Sequence, residues 1–300
     1  MADLRERLMN STNASPLQRD TLQALHVRLP DLRRQWTRAR PFRWVVIDDF
    51  LPTEHAEQIL AAYPQPDDEG WDNTTYSHQS GKYTKSQGFT GVMADFFDFS
   101  ASPAFLEWTE NLTSIDSLLP DPILAGGGLH ASSAGGFLDV HIDYNFHPQF
   151  KWHRRLNLIL YMNKDWKPEY NGHLELWDFS GRKKKKIEEV YPHFNTAVIF
   201  ETNGISYHGL PEPLRCPDSM MRKSLALYYY TEERDDQWAN AEEHNTVYQQ
   251  TTGMRGYLKT SASAMRAGLE RVNEVGVQHT ARHVFGRLLR GMMGKPPENR

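Results

Sequence analysis

Residues 122–231 contain six or more short apolar or alternating runs, each separated from the next by turn residues. The runs are GGGLHASS, GGFLDVHI, RRLNLILYMN, GHLELWDF, TAVIFET and RKSLALYYYT. β-Branched and aromatic residues favour strands, and several short strands at this spacing are typical of an all-β barrel or sandwich. The pattern therefore predicts a mainly β core with flanking helices, an α+β fold class.

The two ends of the chain have helical patterning. Spaced leucines before residue 41 predict short helices, with Pro16 and Pro30 as interruptions. The predicted division is an N-terminal helical segment (1–41), a β domain (42–232, core 122–232) and a C-terminal helical extension (233–300). In that extension the apolar stripe Val284, Phe285, Leu288, Leu289 and Met292 predicts packing on the barrel or on a second subunit, hence a homodimer as one alternative.

Composition excludes several classes of protein. The chain has 300 residues, 39% hydrophobic and 24% charged, as expected of a globular protein. A formal net charge of −4 argues against nucleic-acid binding, and no apolar run approaches the roughly 20 residues of a membrane span. Cys216 is the only cysteine, which excludes an intrachain disulfide and a cysteine-based zinc cluster. Together with a first segment that lacks a secretory apolar core, this predicts a cytoplasmic protein.

Residues 64–90 are polar and rich in turn residues, including DDEG, DNTT and SGKYTKSQG. This composition predicts a long loop before the β core. Such loops often act as lids, and Lys82 and Lys85 would then face the substrate. A polar connection without a role is the alternative.

The sequence FLDVHIDYN places a histidine and an aspartate two residues apart at the end of a predicted strand. Residues i and i+2 of a strand face the same side, so His141 and Asp143 are expected to project together. An imidazole and a carboxylate suit Fe(II), Mn or Zn, and two histidines with one carboxylate form the facial triad of non-heme iron oxygenases. His208, after the run TAVIFET and next to Gly209, is the candidate third ligand.

The run RKSLALYYYT supplies a candidate anion site. Alternation puts Arg222 and Ser224 on one face of the strand and Lys223 on the other. An arginine fork matches a carboxylate, and a serine hydroxyl can add a bond. Tyr161, at the end of RRLNLILYM, is expected to donate to the same carboxylate, and Asn157 shares its facing.

These residues resemble the iron(II)/2-oxoglutarate-dependent dioxygenases, especially the prolyl-hydroxylase-like branch. The resemblance covers about residues 122–232, and the earlier stretch FRWVVIDDFLP is similar to the lead-in of bacterial members. The stretch RRLNLILYMNKDWKPEYNGHLELW is similar to the segment that follows the first ligand pair. The resemblance implies a double-stranded β-helix, the jelly roll of cupin-like proteins.

The resemblance also implies roles for the candidate residues. His141, Asp143 and His208 would be iron ligands. Arg222, supported by Tyr161 and Ser224, would hold the distal carboxylate of 2-oxoglutarate. An inserted PEPLRCPDSM lengthens the interval after His208, which keeps Lys223 as an alternative, although facing favours Arg222.

The implied reaction is hydroxylation of an unactivated C–H bond. It would use Fe(II), 2-oxoglutarate and O₂, with ascorbate as a supporting reductant, and release succinate and CO₂. Retention of the Asp143 carboxylate favours hydroxylation over halogenation. The implied substrates are amino-acid-like, peptidyl or other small molecules. Two alternatives are a non-catalytic jelly-roll module that binds metal or acts as a sensor, and a zinc-dependent cupin-like enzyme that does not need Arg222.

Overall fold

The structure is a computed structural model that describes residues 14–65, 68–249 and 251. In these residues the chain forms the helices α1 (Pro16–Arg38), α2 (Thr53–Ala61), α3 (Gly91–Ala101) and α4 (Pro103–Thr113), and a 3₁₀ turn (Pro168–Tyr170). None of these helices combines the length and the apolar character required to cross a bilayer. The helices flank a large antiparallel β structure.

The strands follow one another in the order β1 (Trp44–Ile47), β2 (Asp72–Tyr76), β3 (Gln79–Lys85), β4 (Leu119–Pro120), β5 (Gly128–Ile142), β6 (His153–Tyr161), β7 (Leu174–Asp178), β8 (Lys185–Val190), β9 (Thr196–Glu201), β10 (Tyr207–Leu210), β11 (Arg222–Thr231) and β12 (Val247–Gln249). Hydrogen bonding connects the main strands in the order β1-β9-β6-β11-β5-β10-β7-β8.

Strand β5 belongs to two sheets. Its first half pairs with β11, with Arg222 opposite Ser132, and its second half pairs with β10, with His208 opposite His141. The first sheet is therefore β1-β9-β6-β11-β5, and the second is β5-β10-β7-β8. Two antiparallel sheets that share a bent strand in this order form a double-stranded β-helix, a barrel-like jelly roll. The predicted fold class is confirmed.

The bend in β5 depends on glycine. The sequence suggested two separate runs here, but residues 128–142 form one strand whose pairing with β3 shifts between Ser80 and Lys82. Gly135 has φ +76, a conformation that side chains with a Cβ rarely adopt. A Cβ on Gly136 would lie 2.8 Å from the Ser133 carbonyl oxygen. The two glycines allow one strand to continue from the first sheet into the second.

The polar segment before the β core is a hairpin, so the prediction of a long loop was wrong for residues 72–85. Strand β3 pairs with β2 on one side and with β5 on the other. Backbone hydrogen bonds stabilise this hairpin, which explains why its side chains can be polar. Lys82 and Lys85 lie on opposite faces of β3, since they are three residues apart.

The helices and the first sheet share one hydrophobic core. Leu17, Leu25 and Trp36 of α1 pack in the same cluster as Leu156 and Leu158 of β6. Helix α1 is continuous and contains Pro30, so the predicted interruption there was wrong. A second cluster lies between the two sheets and combines Tyr161 and Phe200 with Leu176 of β7.

The region after β11 differs from its prediction where it is described. Residues 233–249 contain strand β12 and no helix. Tyr248 of β12 lies opposite His141 of β5. The apolar stripe of residues 284–292, and with it the predicted homodimer contact, lies outside the described residues. The predicted domain boundaries stay predictions.

Candidate metal and co-substrate site

The three predicted metal ligands converge at one end of the barrel. His141 is the penultimate residue of β5, Asp143 follows that strand directly, and His208 lies on the neighbouring strand β10. The Nε2 atom of each histidine lies 3.5 Å from an oxygen of the Asp143 carboxylate. One potential donor atom from each residue lies within 4.8 Å of the other two. This arrangement could hold one ion on a single face.

Both histidines are oriented for coordination through Nε2. Nδ1 of His141 donates to the backbone oxygen of Asp139 (2.8 Å), and Nδ1 of His208 donates to that of Ser206 (2.9 Å). Such bonds fix the tautomer that leaves the Nε2 lone pair free. Burial lowers the pKa of His208 to about 4, helped by the nearby His141. The imidazole is therefore neutral near pH 7, as a metal ligand must be.

A buried arginine compensates the charge of Asp143. Arg154, 1% exposed, lies 3.3 Å from Oδ2 of Asp143, and Asn157 donates to the same oxygen at 2.7 Å. The Asn157 oxygen in turn accepts from Arg154. The guanidinium lies between the rings of Tyr144 (4.5 Å) and Tyr228 (3.6 Å). Burial alone would raise the pKa of Asp143, but Arg154 and the two histidines hold it well below its usual value.

The second predicted cluster lies on the same inner face, further along the first sheet. Ser224 of β11 is opposite Tyr161 of β6, and Arg222 is buried with its guanidinium 4.8 Å from the Tyr161 ring. Nε of Arg222 donates to the oxygen of Gly172 at 2.6 Å. In the part of the chain that the structure describes, no carboxylate pairs with Arg222. A buried cation of this kind can receive an anionic ligand.

The Tyr161 hydroxyl supports that interpretation. It is buried and makes no hydrogen bond of standard geometry among the described residues, although the Arg222 guanidinium lies close enough to interact with it. Burial raises the pKa of Tyr161, and Arg222 opposes part of the rise. A buried hydroxyl without a partner is costly, so a ligand carboxylate at this point would satisfy both groups. The residues present thus fit 2-oxoglutarate as well as iron.

The predicted site residues are not all placed alike. His141, Asp143 and His208 come together, and Arg222, Ser224 and Tyr161 form the second cluster. Asn157 faces the barrel interior as expected, but its amide group contacts Asp143 and Arg154, and its contact with co-substrate stays a prediction. Lys223, the alternative cation, lies on the opposite face, 5.3 Å above the ring of Tyr63.

Two nearby residues were not predicted to belong to the site. Arg154 is one. Tyr248 is another, and it stacks on His78 with ring centroids 4.5 Å apart, while its ring lies 5.5 Å from that of His141. Only Arg154 carried a sequence signal, the double arginine in KWHRRLN, and nothing there indicated which arginine faces the interior.

A second group of potential metal ligands lies elsewhere, on and near β7 and β8. His173, Glu175 and Glu189 also bring donor atoms within 4.8 Å of one another. Here the Lys186 ammonium bonds both carboxylates, with 3.1 Å to Glu175. An ammonium group already bonds both carboxylates, so we assign no metal to this group.

The comparisons with known proteins give a family match for part of the chain and solved structures of similar fold. Residues 127–230, about a third of the chain, match the model of the 2OG-Fe(II) oxygenase superfamily. A prolyl 4-hydroxylase structure from Phytophthora capsici is 15% identical with a TM-score of 0.50, over 90% of this chain and 93% of that one. A Pseudomonas putida prolyl-4-hydroxylase is 17% identical with a TM-score of 0.49, over 67% of this chain and all of that one. No curated protein matches.

The family match confirms the superfamily that the sequence resembled, and the likeness to the Phytophthora structure agrees in fold with its prolyl-hydroxylase-like branch. The class of protein defined by residues 127–230 is thus an iron(II)/2-oxoglutarate-dependent oxygenase. The predicted enzyme class, a 2-oxoglutarate-dependent dioxygenase, is confirmed by the same match. The roles of individual residues and the substrate are matters for proposal.

Proposed function

We propose that His141, Asp143 and His208 bind Fe(II), and that Arg222 with Tyr161 and Ser224 binds the distal carboxylate of 2-oxoglutarate. The reaction is hydroxylation of an unactivated C–H bond in an amino-acid-like, peptidyl or other small-molecule substrate. The observation that carries the proposal is the convergence of two imidazoles and one carboxylate, with donor atoms within 4.8 Å of one another.

The facing of the two clusters supports a shared ligand. Both clusters lie between the sheets, with the metal ligands at the end of β5 and Arg222 on β11. A molecule that chelates the metal through a keto acid group and ends in a second carboxylate would reach from one cluster to the other. The triad supplies three protein ligands, which leaves coordination positions for such a molecule and for O₂.

The bound iron and 2-oxoglutarate supply the oxidising chemistry, in which O₂ is consumed and succinate and CO₂ are released. The protein residues hold the metal and the co-substrate and orient the ligand atoms. The backbone bonds of His141 and His208 fix the direction of both Nε2 atoms. Arg154 and Asn157 hold one oxygen of Asp143, and the other is left to face the metal. Arg222 anchors the far end of the co-substrate.

The non-catalytic alternative is less well supported. A module that only binds metal needs no buried cation at a distance from the triad, and neither does a zinc-dependent cupin-like enzyme. Arg222 without a carboxylate partner and Tyr161 without a hydrogen-bond partner both cost stability in the absence of a ligand. The presence of these two groups in the barrel interior favours an enzyme that uses 2-oxoglutarate.

The first test is binding without turnover. Fe(II) and 2-oxoglutarate added without oxygen should give a weak visible charge-transfer band, and His141→Ala and Asp143→Ala should abolish it. His173→Ala is the matched control, because this histidine belongs to the second, lysine-filled group of ligands. With air and ascorbate, succinate should form in the wild type and in the control. A wild-type protein that binds iron but never shows the band would support the non-catalytic module instead.

A further inference from the structure

Lys82 lies on the same inner face of the first sheet as Arg222. Strand pairing aligns Lys82 of β3 with Ser132 of β5, and Ser132 with Arg222 of β11. Residues opposite one another on adjacent strands point to the same side of a sheet, and neighbouring strands are about 4.8 Å apart. Lys82 and Arg222 are therefore two strands apart, with side chains directed into the same space.

The ammonium group of Lys82 has no partner in the described chain. No hydrogen bond or ion pair formed by residues 14–65, 68–249 and 251 involves its Nζ, although its side chain is largely enclosed. Desolvation lowers the pKa of Lys82 to about 8, Asp143 opposes this shift, and Arg222 and Arg154 add to it. Lys85, by contrast, donates to the backbone oxygen of Glu69 at 2.6 Å.

The hairpin that carries Lys82 is fixed in place. Strand β3 pairs with β5 along most of its length. At the turn end, the hydroxyl groups of Tyr76 and Tyr248 lie 2.5 Å apart, and His78 stacks on Tyr248. Lys82 is thus presented by a strand rather than by a loose loop, so its ammonium group is held in position before any ligand arrives.

Binding of iron and 2-oxoglutarate would leave Lys82 uncompensated. Three cations, Lys82, Arg154 and Arg222, and one carboxylate, Asp143, act on one another here. The charges of the iron(II) dication and the 2-oxoglutarate dianion cancel. Arg154 pairs with Asp143, and under the proposed function Arg222 pairs with the co-substrate. The net charge of this group stays at +2, and Lys82 is the one cation of the three without an assigned anion.

We propose that Lys82 is the anion-binding element of the substrate pocket, and that the substrate carries a carboxylate or phosphoryl group which this ammonium binds beside the iron. The position follows from the strand pairing, which directs Lys82 and Arg222 into the same space between the sheets. This inference rests on the proposed function, because it assumes that 2-oxoglutarate occupies the Arg222 end of the interior.

The direct test measures the accessibility of the amine. Protein loaded with Mn(II) and 2-oxoglutarate is treated with trace acetic anhydride, and acetylation of Lys82 and Lys85 is quantified by peptide mapping. Acetate and inorganic phosphate are added at constant ionic strength, with acetamide as the neutral counterpart. At least one anion should slow the acetylation of Lys82 about fivefold or more in a saturable manner, with no effect on Lys85. Protection by neither anion, or equal protection by acetamide, overturns the proposal.

The kinetic test uses pairs of probes that differ by one anionic group. L-Amino acids and their amides, and phosphomonoesters and their parent alcohols, are compared for stimulation of succinate release. The members that carry the carboxylate or phosphoryl group should stimulate and their counterparts should not, and the pair that responds identifies which of the two groups is bound. Lys82→Met should raise KM for the active probe about tenfold or more, and Lys85→Met should leave it unchanged. Equal stimulation by both members of a pair would overturn the proposal.

The same preparations separate this proposal from the proposed function. Absence of the anaerobic charge-transfer band means that the iron and 2-oxoglutarate assignment has failed. A normal band without anion protection of Lys82 means that only the substrate inference has failed. A third outcome is that Lys82→Met weakens 2-oxoglutarate binding as much as Arg222→Met does. Lys82 would then belong to the co-substrate site, and the proposal would be overturned.

Discussion

The barrel interior contains two buried arginines in opposite electrostatic situations. Arg154 lies at the triad end, where it contacts the Asp143 carboxylate, the Asn157 amide oxygen and two tyrosine rings. Arg222 lies at the far end with a backbone carbonyl and a tyrosine ring but no carboxylate from the described residues. One arginine is paired within the protein, and the other is available to a ligand.

The difference distinguishes a structural charge from a binding charge. Removing one partner of a buried ion pair leaves an uncompensated charge and costs about 3–5 kcal/mol, whereas an unpaired buried cation stabilises nothing by its charge until an anion arrives. Arg154 should therefore affect stability in the absence of ligands, and Arg222 should affect affinity for 2-oxoglutarate. The predictions below test that separation.

Arg154→Met should produce the largest change in stability. The free energy of unfolding of the metal-free protein should fall by about 3 kcal/mol, because the buried Asp143 carboxylate loses its cation. Saturating Mn(II) should restore part of the loss, since the dication then compensates the same carboxylate. Urea unfolding with chelator and with Mn(II) measures both effects.

Arg155→Met is the control for this experiment. Arg155 is the neighbouring arginine, which bonds to Thr231 and lies 3.7 Å from Asp236, away from the triad. The decrease in the free energy of unfolding caused by Arg155→Met should be no smaller with Mn(II) than with chelator. If metal restores the two variants equally, or if Arg154→Met costs nothing, Arg154 does not hold the charge of Asp143.

Arg222→Met should act on binding instead. We expect the dissociation constant of 2-oxoglutarate to rise about 100-fold, corresponding to about 2.7 kcal/mol, while unfolding without ligand changes by less than about 1 kcal/mol. Titration of the anaerobic charge-transfer band gives the affinity. Lys223→Met, on the opposite face of the same strand, should change it less than twofold. A larger effect of Lys223 would restore the alternative assignment of the cation.

Short-range patterns in the sequence predicted the individual strands and the facing of several site residues. Alternation along β11 separated Arg222 from Lys223, and two-residue spacing brought His141 and Asp143 to one end of β5. The jelly roll required the family resemblance as well as the strand count. The long-range pairing of His208 with His141 followed from that resemblance, since nothing in the local pattern specifies which strands become neighbours.

The inward position of Arg154 was not predicted because it depends on a departure from alternation along β6. Pairing of β6 with β11 shifts between Tyr229 and Tyr230, so that Leu156 and then Arg154 are the paired residues. Strict alternation from Asn157 would direct Arg155 inward, and the bulge directs Arg154 inward instead. The hairpin of β2 and β3 was missed for another reason. Its polar residues are typical of a loop, and they form strands because β2 pairs with β3 and β3 pairs with β5.

Tyr161→Phe tests the Arg222 end with a smaller change. The hydroxyl has no protein partner among the described residues, so its removal should not destabilise the unliganded protein and should add up to about 1 kcal/mol of stability. Binding of 2-oxoglutarate should weaken about tenfold, because a hydrogen bond to a charged carboxylate is lost. Urea unfolding and anaerobic titration measure the two effects. A loss of stability with unchanged affinity would assign this hydroxyl a structural role only.

The smallest expected effect concerns pH and the triad end. The pKa of His208 is lowered to about 4 from an ordinary 6.5, so between these values the unfolded chain binds more protons than the folded chain. Stability of the chelated protein should therefore fall on acidification, by about 0.7 kcal/mol from this group between pH 7 and pH 6. Urea unfolding at the two pH values should show a smaller difference for His208→Gln than for the wild type. Equal differences would mean that His208 is not held neutral by its surroundings in the folded protein.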